Sequence, residues 1–197
     1  ASKSRYHVYM LLMGWVCIAW FFSVAMTLLQ APLRSSWIEQ LSTSPQFLLE
    51  MSFGLVAVIS MALLAVQKSV PGLSRKPVLV TAVIVFMLWL GSLFVGLYFP
   101  AFSPTMEGKR ALCDLEIVAY SIPLMIAGFV VLKKGFVLNW TAAGFGIGLA
   151  SGLIPALLMQ LACMYDPAHA LQCHVLQAVL LGIAGAGVGF VLHKLQR

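Results

Sequence analysis

Six apolar stretches, each about the length of one bilayer crossing, set what this chain can fold into. They run over residues 8–30, 45–66, 78–99, 112–132, 140–163 and 173–193. A helix needs about 20 residues to cross about 30 Å of hydrocarbon. In lipid only helices and closed barrels satisfy their own backbone hydrogen bonds. The period-2 alternation of a barrel strand is missing, so the spans read as helices. The expectation is an all-α, polytopic membrane protein: one six-helix transmembrane domain over residues 1–197.

Charge then orients the bundle. Lys3, Arg5, Lys68, Arg75, Lys76, Lys133, Lys134, Lys194 and Arg197 fall on one side of the spans. Arg34, Lys109, Arg110 and all six acidic residues fall on the other. Excess Lys and Arg mark the cytoplasmic side, which places both termini in the cytoplasm and residues 31–44, 100–111 and 164–172 outside. The net charge of +6 does not point to nucleic acid. The basic groups sit at helix ends and form no broad basic face. Anchoring to anionic headgroups by Lys68, Arg75, Lys76, Lys133 and Lys134 explains them better. With 61% hydrophobic and 9% charged residues, against about a quarter charged in soluble domains, little is left for a separate soluble domain. The sequence starts at Ala1, so either an initiator was removed or upstream residues are absent. The first span does not read as a cleavable signal: its apolar core exceeds the usual ~7–15 residues, and Gln30-Ala31-Pro32 is a poor cleavage context.

Local punctuation agrees with six spans. Ser44-Pro45 opens the second, Val70-Pro71-Gly72 and Lys76-Pro77 bracket a cytoplasmic turn, and Lys133-Lys134-Gly135 closes the fourth. Trp37 suits an interfacial position in the first outer loop. Gly144, Gly148 and Gly152 recur every four residues, as do Gly185 and Gly189, a spacing that puts small residues on one helical face for close packing. Pro123 and Pro155 fall inside spans and are expected to kink them.

Residues able to do chemistry gather on the outer side. Cys113 opens the fourth span, Cys163 closes the fifth and Cys173 opens the sixth, with His169 and His174 beside the last outer loop. Three readings stay open. Two outer cysteines, most simply Cys113 and Cys163, could form a disulfide in an oxidising compartment. Thiols and imidazoles at one depth could bind a soft metal ion or be oxidised. Or the cysteines are inert. Cys17, mid-span, reads as a small buried apolar filler. Glu50, Glu116, Gln160 and Gln177 are expected to make interhelical hydrogen bonds rather than a proton path. No His-Glu-x-x-His, Gly-x-Ser-x-Gly or Cys-x-x-Cys is present, and the histidines sit at span ends, whereas a haem wants them well inside facing helices. No catalytic role and no obligatory cofactor are expected.

Several stretches together resemble the NrsF family of bacterial inner-membrane anti-sigma factors. Ser44-Pro45-Gln46-Phe47-Leu48-Leu49-Glu50 is similar to the family's Asp-Pro-x-Phe-x-x-Glu entry to the second span. Val70-Pro71-Gly72, Cys113, the glycines from 144 to 152 followed by Cys163, His174, and the small residues from Gly182 to Gly189 match in order and spacing over about 150 residues. The family often has His before the second cysteine, where this chain has Ala162, and usually a longer segment before the first span. The resemblance implies a protein that holds an extracytoplasmic-function sigma factor at the inner membrane and releases it under metal or oxidative stress, with Cys113 and Cys163 as sensing elements. It places the sigma factor on the cytoplasmic segment and loops. The alternative is a structural or accessory subunit of a larger membrane complex, or a homo-oligomer, which the short loops fit equally.

Overall fold

The structure, a computed structural model, describes residues 2–30, 32–69, 76–134 and 137–195. Arg75, Gly135 and the turn at residues 70–72 lie outside the described residues, as does the Lys76 side chain. The described residues form α1 (Ser2–Gln30), α2 (Trp37–Thr43), α3 (Pro45–Ser69), α4 (Lys76–Tyr98), α5 (Cys113–Lys133), α6 (Trp140–Ala162), α7 (Pro167–His169) and α8 (Leu176–Leu195), and among them there is no strand. A π-helical segment, Ala170–Val175, joins α7 to α8, making one rod over Pro167–Leu195. Six helices are thus long and apolar enough to cross a membrane. Two features depart from expectation. Trp37 starts a short helix rather than lying in a loop, and the last span begins six residues early, at Pro167.

Helix starts follow from local chemistry. The Asn139 side chain accepts from Ala142 N at 2.9 Å and caps α6; Asp166 accepts from Ala168 N at 3.0 Å ahead of Pro167. Both satisfy amides that have no partner within their helix. Pro167, lacking an N–H, fits the first helical position.

α6 is the hub. α8, α3, α5 and α1 all pack on it, whereas α4 touches α3 and, at one end, α7. The α6–α8 seam is backbone against backbone. A Cβ built on Gly144 would strike the Gly185 carbonyl oxygen, and one on Gly185 the Gly144 oxygen. A Cβ on Gly148 would strike the Leu181 oxygen, one on Gly189 the Trp140 oxygen, and one on Gly152 would lie 2.6 Å from Ala178 Cα. Without an apolar driving force between helices in lipid, such close approach supplies the packing attraction.

On α1 the buried stripe is Leu12, Trp15, Val16, Ala19, Ser23 and Thr27, spaced as one helical face. Trp15 Nε1 donates to Leu124 O of α5 at 2.9 Å. Cys17 is one step off that stripe and is exposed. It is not the buried filler the composition suggested: one residue advances a helix by about 100°, which turns this side chain away from the bundle. Pro123 and Pro155 lie inside the unbroken helices α5 and α6.

Alternation of the spans gathers Lys68, Lys133, Lys134 and Lys194 at one end of the bundle, the lysine end. The amides of Leu138 and Asn139 both donate to Lys68 O at 3.2 Å there, tying the end of α3 to the start of α6. The opposite, thiol end is covered by α2 and the connections around it.

Candidate metal and thiol site

Four side chains converge at the thiol end. Cys113, the first residue of α5, and Cys163, just past α6, are both buried free thiols. His169 and His174 come from the last rod. One ligand atom from each of the four lies within 4.8 Å of all the others. His169 Nε2 is 3.1 Å from Cys113 Sγ and 3.3 Å from Cys163 Sγ. The two rings stand edge to face, centroids 5.3 Å apart.

The π segment makes this arrangement. In an α-helix five residues advance roughly 1.4 turns, so His169 and His174 would point apart. Here Leu176 N bonds Leu171 O, five residues back. That wider turn, in which i and i+5 are linked, stacks the two imidazoles on one face. Nothing in the apolar pattern announces it; the five-residue spacing of the histidines, awkward for an α-helical face, is the one clue. Cys173, in the same segment, lies next to the Cys113 thiol but outside the set of four.

The donor set fits a soft ion. Two thiolates and two imidazoles suit Zn²⁺, Cu⁺ and similar metals. Bonds of about 2.3 Å to sulfur and 2.1 Å to nitrogen set tetrahedral ligand atoms roughly 3.4–3.8 Å apart, so the 3.1 and 3.3 Å separations would open slightly and the widest, up to 4.8 Å, would close by about 1 Å. The same thiols, in contact and free, can also be oxidised.

Arg34 holds the site's cover in place, a role its sequence position did not disclose. It is only 2% exposed. Its Nη2 donates to Gln160 O at 2.9 Å and its amide to Leu161 O at 3.1 Å, so it occupies the carbonyl end of α6, the favourable pole for a cation, three residues before Cys163. Burial pushes its guanidinium below the ordinary range, and the charge of Glu107 opposes that. Gly108 turns beside it with φ +77°; a Cβ there would lie 2.5 Å from Ala162 O. Glu107 accepts from Ser35 N at 2.9 Å, Ser35 Oγ at 2.7 Å and Ser36 Oγ at 3.0 Å. These bonds, that from the Ser35 side chain first, hold its carboxyl below the usual range. Arg110 pairs with Glu116 at 2.6 Å and reaches Gln30 O at 3.1 Å.

Beside the cluster is a second polar group of residues. Glu50 is 2% exposed and takes a hydrogen bond from Gln46 at 3.2 Å. Tyr165 Oη accepts from Ala101 N at 2.8 Å; burial, then the Glu50 charge, push its phenol up to about 12, so it keeps its proton. Gln160 was expected to bond between helices, yet neither end of its side-chain amide has a hydrogen-bond partner. Glu116 bonds the connecting loop through Arg110 instead of a second span.

Fold and site together define a six-span helical membrane protein carrying a buried Cys2His2 cluster at one end. Comparison with known families then gives the particular identity. A family model, "NrsF: Negative regulator of sigma F", matches residues 2–194, and the chain belongs to that family. No curated protein and no solved structure matches it. Family membership makes it a negative regulator of a sigma factor, which is a regulatory and not an enzymatic role.

Proposed function

We propose that this chain is an inner-membrane anti-sigma factor. It holds an extracytoplasmic-function sigma factor at its cytoplasmic, lysine-bearing end and releases it when a soft metal or an oxidant reaches the outward-facing thiols. The observation that carries this is the meeting of Cys113, Cys163, His169 and His174, two thiols and two imidazoles from three separate helix ends, at one largely buried point. Cys113 and Cys163 would be the sensing pair, and His169 and His174 the completing ligands.

Coupling follows from where the ligands are anchored. A metal at the cluster ties the starts of α5 and the last rod to the end of α6, and an S–S bond between Cys113 and Cys163 ties α5 to α6 alone. A switch needs an element whose two arrangements such a ligand or bond favours unequally. The α6–α8 seam suits that role, because its glycines allow discrete backbone-to-backbone registers and no gradual compression. A shift along it moves Asn139 and Lys194 at the far end.

The test is retention of the cognate sigma factor on affinity-captured full-length protein in native membranes. Cd²⁺ or a thiol oxidant should release it from the wild type and not from the Cys113→Ser/Cys163→Ser double variant. Equal release from both would defeat the sensing role. Absence of any sigma factor on the untreated wild type would defeat the sequestration role.

A further inference from the structure

Behind the cluster is a small, partly open chamber with about 10 Å³ of room for a water-sized sphere, bordered by Glu50, Gln160, Tyr165 and His174 among apolar residues. That volume is at the threshold for a single water, and a buried water needs two to four polar partners. The chamber supplies them. Both ends of the Gln160 amide are buried without a protein hydrogen bond, and His174, whose one ring nitrogen faces the Cys163 thiol, has no protein partner for the other. Tyr165 Oη accepts from Ala101 and keeps its own proton to donate. Glu50 is the one carboxylate on the wall that is not already used as a helix cap, since Asp166 is bonded to Ala168 N. Leaving so many buried polar atoms unpaired would forfeit their hydration with nothing in return.

The geometry points to one ordered water in this chamber, bridging the Glu50 carboxylate and the Gln160 amide to His174. Glu50 is then the outer positioning residue of the metal site. This rests on the metal reading proposed above. A histidine that ligates a metal almost always donates its other ring N–H to a carboxylate, a carbonyl or a water, which fixes the tautomer and strengthens the ligand. His169 meets both thiols through Nε2. His174 offers one nitrogen to the same cluster, and its ring also borders the chamber, where the remaining nitrogen finds its partner. Gly96 helps close the wall: a Cβ there would stand 3.3 Å from Pro167 and 3.5 Å from Glu50 Oε1.

The experiment is Cd²⁺ binding to the full chain in detergent, read by thiolate-to-metal charge-transfer absorption and by competition with a chelator. Wild type should show the band. Glu50→Gln should keep the band but weaken affinity by about 10- to 100-fold. In ¹⁵N-histidine-labelled metal-free protein the same variant should shift the His174 ring nitrogens and leave those of His193 in place. Gln160→Leu, which removes unpaired polar atoms, should weaken Cd²⁺ binding several-fold without lowering thermal stability, and it serves should Glu50→Gln misfold. Affinities within about two-fold of wild type in the folded variants, with unmoved His174 resonances, would overturn the water-bridge assignment while leaving the metal site standing. A wild type without a charge-transfer band would overturn the metal reading, and this assignment with it.

Discussion

α4 and α6 are opposites, and the contrast inverts the rule for soluble proteins. By mean hydropathy α4 is the most apolar of the six spans and α6 the least, yet 89% of the membrane-crossing window of α6 is buried against 17% for α4. In water the most apolar helix would be at the centre. In lipid the surroundings are as apolar as leucine, so burial is decided by how closely backbones can pack. α6 carries the glycines, Ser151 and Gln160; α4 carries leucines, valines and a tryptophan, with Leu88 and Ile84 half-exposed at the bundle surface.

The sharpest way to break that contrast is to enlarge the α6–α8 seam. Gly148→Leu puts a side chain where even a Cβ meets the Leu181 carbonyl oxygen. Overpacking a tight core costs about 1–3 kcal/mol and sometimes more, and backbone has no rotamer to yield. The variant should lose its cooperative thermal transition in detergent, or show the largest fall in melting temperature of any single change named here. Leu88→Ala on α4 should move it little, within about 0.5 kcal/mol. If the two changes cost the same, the seam is not what holds the bundle together.

Arg34→Met comes next. It deletes a bond to Gln160 O and leaves that buried carbonyl unpaired, at about 1–3 kcal/mol. Because the freed carbonyl is three residues from Cys163, the change should also raise the rate of maleimide labelling of Cys163 in detergent by several-fold. Stability loss without faster labelling would mean that Arg34 supports the fold but does not position the thiol. Gly108→Ala should cost a comparable amount, about 1–2 kcal/mol for a non-glycine residue held in the left-handed region at φ +77°, plus the contact with Ala162 O. The same labelling measurement reads it.

How much of this was legible in the sequence divides along the same line. Six spans, their order and the gathering of basic groups at one end follow from run length and from where charges are excluded, because hydrocarbon tolerates neither open backbone nor bare charge. The glycine faces on α6 and α8 follow from four-residue spacing, though nothing in the spacing says that the two faces meet. The cluster was half legible. Topology alone brings Cys113, Cys163 and both histidines to one depth, but depth leaves rotation free. The π turn that stacks His169 on His174 depends on hydrogen bonds shifted by one residue, which no hydrophobic period encodes. The position of Arg34 was hidden for another reason: a lone charged residue near a span end reads as exposed until loops are seen to fold over it. Glu50, expected to bond between helices, is instead bonded by Gln46 of its own helix.

The smallest effect is the most direct check on that cover. Glu107 is fully exposed, so it does not act through burial; it acts by joining the loop after α4 to Ser35 and Ser36 after α1. Its folded-state value lies below its unfolded one, because the bonds from Ser35 and Ser36 favour the carboxylate. Stability from this group is therefore fully present above the unfolded carboxylate range and is lost as pH falls through the depressed folded value. Wild type and Glu107→Gln should differ slightly in melting temperature at neutral pH, and the gap should close as pH is lowered through that acid window. A gap that stays constant in acid would show that the loop contact depends on shape and not on charge, while a gap that widens would reverse the sign and place the stabilising proton on the folded side. In either case the charge on Glu107 would not be what holds the cover over the cluster, and the contrast with the glycine seam would rest on the buried guanidinium of Arg34 set against a row of backbone contacts.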